Sequence, residues 1–288
     1  MAAISAQAVK ELREKTGAGM MDCKKALADA AGDAEKAVEL LRERGLAKAV
    51  KREGRATSEG AVALALAGRA GALVELGCET DFVAKTPDFQ ALAGELAAAV
   101  AADPGIDSPE ALLSAEIGGE KGEAKIKAAI AKLGENIVAK RVARLALRGG
   151  RVGGYVHAGG KLGVLVALET AAAGEALDVL AKDLAMHVAA ADPSPLAVDR
   201  AGVPGEQVEK ERELFRRQAR QEGKPDKVID KIVEGKVQKY YREVVLLEQP
   251  FVKDPDRSVQ KLVSEVAHKL GGEIRITGFR RFRLGETG

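Results

Sequence analysis

Apolar residues recur at helical spacing over the first part of the chain, and the period then changes. In "SAQAVKELREKTG", "GMMDCKKALADAAG" and "DAEKAVELLRERG", Ala8, Leu12, Leu27, Val38 and Leu41 fall on helix faces, which predicts three short helices. Gly17, Gly32 and Gly45 stand where C-caps belong, and Asp33 where an N-cap belongs. The spacing predicts a three-helix bundle, with the charged run "LAKAVKREGRATSEG" as the link that lets it move as a unit; bundle and linker together occupy residues 1–54.

From Gly60 the pattern alternates with period two. "GAVALALAGRAGALVELGCET" reads as a hairpin turning at Gly68 to Gly71, followed by the Ala-rich helix "PDFQALAGELAAAVAADP". The same order returns in "GGYVHAGGKLGVLVALET" and "GEALDVLAKDLAMHVAAADP". "GALVEL" and "GVLVAL" lie about 92 residues apart, and "VAADP" and "AAADP" about 89, which predicts an internal duplication of a strand-strand-helix unit. "NIVAKRVARLAL" supplies a third, edge strand to the first copy and "GEIRITGFRRFRLG" one to the second. Strands that come in hairpins predict an α+β fold with antiparallel sheets.

The second copy is interrupted at the Pro-rich "ADPSPLAVDRAGVPGE" by two charged helical stretches, "QVEKERELFRRQARQEG" and "KPDKVIDKIVEGKVQKYYREVV". Apolar Val208, Leu214 and Phe215 in one, and Val228, Ile232, Val233 and Val237 in the other, give each a narrow stripe, as in an antiparallel coiled-coil hairpin. Such an arm projects roughly 25 Å. The expected units are therefore 1–54, a first core half over 55–148, a second half begun over 149–192, the hairpin over 193–243, and completion of the second half over 244–288.

Composition narrows the class of protein. With 45 basic and 43 acidic residues, no global field draws the chain to nucleic acid or to an anionic membrane. Cys23 and Cys78 are far apart and form no CxxC, so a reducing, cytoplasmic setting is expected, without metal or disulfide framework. The N-terminus lacks the basic start and apolar run of a signal peptide, and no apolar stretch approaches the length of a membrane span.

Catalytic patterns are absent. His157, His187 and His268 lie in no HExxH or Cys-His arrangement. "GGYVHAGGKLG" departs from the phosphate-loop pattern GxxxxGK[ST], with Tyr155 where its first glycine belongs and Leu162 where its hydroxyl belongs. The basic clusters "KAVKREGR" and "RRFR" read as solvated faces, and nothing places a nucleophile beside the acids Glu79 and Asp81. Two stretches stay unusual. Met20 and Met21 open a helix directly after a glycine turn, and either core packing or an adaptable binding face fits them. Phe82, in "ETDFVAKTPDF", is either a core plug or an exposed hot spot, and the residues alone favour the plug.

At these positions the sequence resembles the bacterial elongation factor Ts family, the guanine-nucleotide exchange factors for elongation factor Tu. The matching stretches are "LREKTGAGMMDCKKAL", "VELGCETDFVAKTPDF", "KLGENI", "GGYVHAGGKLGVLV", "AMHVAA" and "EQPFVKD", in family order over nearly the whole chain. The resemblance implies a ubiquitin-associated-like N-terminal bundle, a two-part α+β core and a protruding coiled coil. It implies no enzymatic activity and no cofactor, with GDP-bound and nucleotide-free elongation factor Tu as partner. No stable nucleic-acid or membrane partner is expected, while self-association is allowed.

By the same resemblance Thr80, Asp81, Phe82 and Val83 form the motif that enters the partner's nucleotide domain beside its magnesium site, which reverses the plug reading of Phe82. Met20, Met21 and Lys24 then hold that domain, Leu133, Gly134 and Asn136 contact the partner or support the fold, and His157 reaches another domain. Longer members carry a helical module after the last strand, where this sequence reads "RFRLGETG", so contacts made by that module are not carried over. The alternative reading is a ribosome- or RNA-associated binding or chaperone module.

Overall fold

The computed structural model describes residues 4–286, the side chains of Leu46 and Lys48 aside. It opens with helices α1 (Ala6–Thr16), α2 (Met20–Asp29) and α3 (Ala34–Val50). Ser5 and Asp33 cap α1 and α3, their side-chain oxygens accepting from Ala8 N and from the Glu35 and Lys36 amides. Val9, Leu12, Cys23, Ala26, Leu27 and Ala37 close the small core between the three.

Gly45 is not the expected C-cap, because α3 runs through it to Val50. A Cβ at Gly45 would stand 2.7 Å from the Cβ of Ala131 on a helix of the body. The missing side chain is what lets the two helices touch. Ala49 is buried in the core of the first half, so the first third of the expected linker, up to Val50, is a docked helix end.

The first half follows as β1 (Glu59–Ala67), β2 (Ala70–Cys78), the single turn α4 (Asp81–Ala84), α5 (Pro87–Ala102) and α6 (Pro109–Ser114). A two-residue ribbon, β3 (Glu116–Ile117) with β4 (Glu120–Lys121), leads into α7 (Gly122–Leu133) and β5 (Ile137–Ala146). The sheet order is β1-β2-β5. Every residue of the central strand β2 is buried, which explains its nearly unbroken apolar run. Phe89, Leu92, Leu96 and Val100 of α5 cover one face of the sheet.

The second half repeats the plan. β6 (Arg151–Val156), β7 (Leu162–Glu169) and α8 (Glu175–Ala190) are followed by the inserted helices α9 (Gly205–Gln221) and α10 (Asp226–Val244). The short ribbon β8 (Pro250–Phe251) and β9 (Asp254–Ser258), α11 (Val259–Leu270) and β10 (Arg275–Arg283) complete it. The order β6-β7-β10 reproduces that of the first sheet, and all pairings between these strands are antiparallel. The architecture is α+β.

The two sheets pack against each other through Val62, Leu73, Val152, Leu165, Ala167 and Phe282, with α5 and α8 covering other faces. Their approach is close. A Cβ on Gly163 would lie 2.6 Å from Val62 Cγ1, and one on Gly154 would lie 2.7 Å from Leu64 Cδ1. Gly154 and Gly163 of "GGYVHAGGKLG" thus serve the packing of one sheet on the other. Buried Glu75 of β2 ties the halves further. It accepts from Arg141 Nε at 2.7 Å and from the Gly285 amide at 3.3 Å, while the Arg141 guanidinium lies 4.4 Å above the ring of Phe282.

In the inserted hairpin Val208, Ala219, Ile229, Val233 and Val237 are buried, and Arg212 bonds Glu234 at 2.9 Å across the pair. Leu214 and Val228, expected in the stripe, are exposed. Small Ala219 permits the contact that a sequence reading assigns to larger neighbours. The base of the hairpin is fastened by buried Gln249, whose amide nitrogen donates to Pro193 O at 3.0 Å and Glu243 O at 2.7 Å. Its oxygen lies 2.9 Å from His187 Nε2, while Nδ1 of the same ring accepts from Val252 N at 3.2 Å. Among the described residues no helix is long and apolar enough to cross a membrane.

Burial holds the His187 imidazole below its ordinary pKa of 6.5, against a smaller opposite effect of Gln249. Below that pH the unfolded chain takes up a proton that the folded site resists, so the stability His187 contributes above 6.5 is lost as pH falls toward the lowered value. Chemical denaturation between pH 7 and pH 5 is therefore expected to give a steeper loss for the wild type than for His187→Gln, and parallel curves would contradict this.

Candidate functional site

The loop after β2 begins with a cap and a clamp. Thr80 is the N-cap of α4, its hydroxyl oxygen accepting from Val83 N at 3.4 Å and its proton going to Glu135 Oε1 at 2.6 Å. The second oxygen of Glu135 accepts from the amides of Glu79 and Thr80, at 3.1 and 2.9 Å. Glu79 returns the contact, accepting from the Asn136 amide at 2.7 Å. Two acids on two loops thus hold each other's backbone. Each carboxylate is spent on amide donors, and Arg55 adds a cation 3.5 Å from Glu79.

Behind this clamp Cys78 donates its thiol to Thr80 O at 3.1 Å, and burial, then Glu135, push its pKa up to about 11. It is a protonated structural thiol. On the far side Thr86 caps α5, its hydroxyl donating to Val83 O at 2.8 Å, and Gln90 Nε2 donates to Ala84 O at 2.6 Å. Both ends of the four-residue turn are therefore fixed.

The clamp presents two side chains outward. Phe82 is 81% exposed, while Phe89, seven residues on, is fully buried beneath the sheet. The plug that the residues alone assigned to Phe82 is instead Phe89. Beside Phe82, the Asp81 carboxylate accepts from Lys85 Nζ at 2.7 Å, and that bond holds its pKa below the ordinary carboxylate value.

The other expected site residues fall into three settings. Gly134, with φ +82, ends α7 in the left-handed conformation, Leu133 is half-buried against the core, and Asn136 is buried with its amide nitrogen donating to Arg55 O at 2.9 Å. These three sit under the Thr80 to Val83 turn. His157 is exposed, 3.0 Å from the Tyr155 hydroxyl, at the rim of a cavity of about 650 Å³ lined also by Met186, Val252 and Arg283. Met20, Met21 and Lys24 are exposed on α2, while Cys23 and Leu27 of the same helix are buried. They lie apart from Phe82, but both regions meet α7. Lys132 of α7 bonds Asp88 at 2.8 Å, and its Cε is 2.6 Å from where a Cβ on Gly17 would stand.

The family model for elongation factor TS matches residues 79–286. The chain belongs to the elongation factor Ts family. It is 47% identical to elongation factor Ts of Prosthecochloris aestuarii, over 99% of this chain and 100% of that one. The corresponding values are 48%, 99% and 100% for Chlorobium phaeobacteroides, and 46%, 98% and 93% for Clostridium perfringens SM101. Membership of this family makes the protein a translation elongation factor and not an enzyme.

Glu135 and Glu79 carry the clamp; residue reasoning weighed Glu79 only as an acid for acid-base work and passed over Glu135. Their signal was present, since Glu135 sits inside "KLGENI" and Glu79 inside "GCETDF", but a carboxylate that bonds backbone amides across 55 residues leaves no spacing pattern.

Two stability predictions follow from the burial and the clamp. Phe82→Ala leaves unfolding free energy within about 0.5 kcal/mol of wild type, whereas Phe89→Ala lowers it by about 4 kcal/mol, read by urea denaturation. Glu135→Ala costs about 2 kcal/mol and accelerates amide hydrogen exchange at Glu79 and Thr80, while an unchanged exchange rate there would remove the clamp.

Proposed function

We propose that this chain binds GDP-bound elongation factor Tu and promotes release of the nucleotide, with Asp81 and Phe82 as the parts that enter the partner. The observation carrying this reading is the apolar ring of Phe82, held almost fully in solvent by a turn that is hydrogen-bonded at both ends. An exposed aromatic on a rigid support loses little conformational freedom on binding, which is what a hot spot requires.

In a guanine-nucleotide-binding partner the phosphates are held by backbone amides and by Mg²⁺. A ring wedged between elements near that ion displaces them, and the Asp81 carboxylate competes for the same donors. No bond is made or broken. By linkage, weakening of GDP by this protein equals weakening of this protein by GDP, and the direction of exchange is set by the nucleotide pool. Met20, Met21 and Lys24, on an N-terminal unit of ubiquitin-associated type, grip the nucleotide domain, and His157 meets a second domain. Leu133, Gly134 and Asn136 support the wedge from below. The inserted hairpin is a short antiparallel coiled coil, and the protein works in the cytoplasm.

The test is release of a fluorescent GDP from elongation factor Tu of the same organism. Wild type is expected to accelerate release, and Phe82→Ala to slow the accelerated rate about tenfold or more. Absence of acceleration by folded wild type defeats the reading. Equal rates for both proteins keep the exchange activity and remove Phe82 from it.

A further inference from the structure

Met20 and Met21 on the bundle and Phe82 on the body lie apart, yet two separate paths fasten one region to the other. The first path is α7. Gly45 and Ala49, one turn apart on α3, are both buried: a Cβ on Gly45 would stand 2.7 Å from Ala131 Cβ, and Ala49 belongs to the core of the first half. Arg52 Nη1 donates to Ile130 O at 3.4 Å. Just beyond Ala131 the helix ends at Gly134, and the next residue is Glu135, whose carboxylate holds the Glu79 and Thr80 amides. The second path is the chain that joins α3 to β1. Arg55 O accepts from Asn136 Nδ2 at 2.9 Å, the Arg55 guanidinium lies 3.5 Å from Glu79, and Thr57 O accepts from the Lys140 ammonium of β5. The stretch expected to let the bundle move as a unit is thus bonded to α7, to the clamp under Phe82 and to the edge of the first sheet.

Beside the seam of α3 and α7 lies a groove of about 490 Å³, lined by Val38 and Leu41 of the bundle and Ala124 and Ala128 of α7. With that space open, the angle between bundle and body depends on the few close contacts around Gly45. A flexible tether would supply only effective concentration, so that after the bundle binds the ring still has to find its site by search. A fixed mount presents the ring in one orientation as the bundle binds, because the ordering has already taken place on folding. We propose, resting on the exchange reading given above, that the seam of Gly45 and Ala131 together with Arg55 is such a mount: it holds the bundle and Phe82 in one register, so that seating of the bundle on the partner aims the ring. Arg55 is a positioning residue in this scheme, since it touches the clamp and not the partner's nucleotide site.

The experiment uses full-length protein and release of fluorescent GDP from elongation factor Tu, followed to saturation. Gly45→Leu is expected to lower the maximal rate about fivefold, and Arg55→Met about threefold, while the half-saturating concentration, set by the bundle's own contacts, stays within about twofold of wild type. Gly45→Ala combined with Ala131→Gly moves the methyl across the seam, and this pair is expected to keep the maximal rate within about twofold of wild type. A wild-type maximal rate in either single variant, or a loss confined to the half-saturating concentration, identifies a tether and overturns the proposal. The mount is also read without the partner, by pulsed electron paramagnetic resonance between nitroxides on Lys36→Cys and Glu110→Cys, both exposed positions, Cys23 and Cys78 being buried and out of reach of the label. A narrow distance distribution that widens in Gly45→Leu supports the mount, and equal widths with and without that substitution overturn it. Should wild type release no GDP, the exchange reading falls by itself, and the distance distributions still decide whether bundle and body share one register.

Discussion

Close approach of the two sheets is the constraint on which the rest of the molecule depends. Side chains at Gly154 and Gly163 would occupy the space now taken by Leu64 and Val62, so the halves meet only because those positions are bare. That contact brings the β6–β7 turn onto β1, and with it Gly160 onto Val62 and Lys161 onto Glu59. It also lets Arg141, already paired with Glu75 in its own sheet, reach Phe282 and the backbone of Arg283. A buried carboxylate such as Glu75 is costly unless paired and bonded, and here the cation comes from Arg141 on the neighbouring strand and the amide from Gly285 across the interface. The duplicated fold thus yields one continuous surface around the Phe82 loop.

Leaving a Phe in water forgoes roughly 2 kcal/mol of burial. The loop keeps its shape by another means, since Glu135, Thr80, Thr86 and Gln90 bond the amides of Glu79, Thr80 and Val83 and the carbonyls of Val83 and Ala84. Order without burial is the physical signature that separates this loop from the helices around it. The same division of labour explains the two phenylalanines of "TDFVAKTPDF", one holding α5 to the sheet and the other left free of the fold.

Much of this was legible in the residues. Period-two runs located β1, β2 and β7, the repeat offsets paired β2 with β7, and the alternating "NIVAKRVARLAL" and "GEIRITGFRRFRLG" became the third strands. The segment α6 and the ribbons β3–β4 and β8–β9 are too short to show a period, whereas α11 has Val259, Leu262, Val263, Val266 and Leu270 at helical spacing and was passed over. Gly45 misled because a helix-ending glycine and a glycine admitting a neighbouring helix look alike until Ala131 is seen against it. Phe82 could not be placed by pattern at all, since exposure of a single ring depends on how a loop is held from 55 residues away. Family resemblance supplied what periodicity could not, and the burial of Phe82 and Phe89 is independent of it.

The closing strand β10 has a further consequence, for the order in which the protein is made. β1, β2 and β5 are all synthesised by Ala146, so the first sheet can assemble while the chain is still emerging. β7 must wait for a neighbour more than a hundred residues later, Thr277 bonding Ala167 across a separation of 110. The Glu75 cluster waits longer, its Gly285 contact spanning 210 residues. Pairings of such range are slow to form, and until they do β7 presents an unpaired apolar edge beside a finished first half. The nascent protein therefore passes through a half-built stage in which one member of the duplicated pair is complete and the other is open to association.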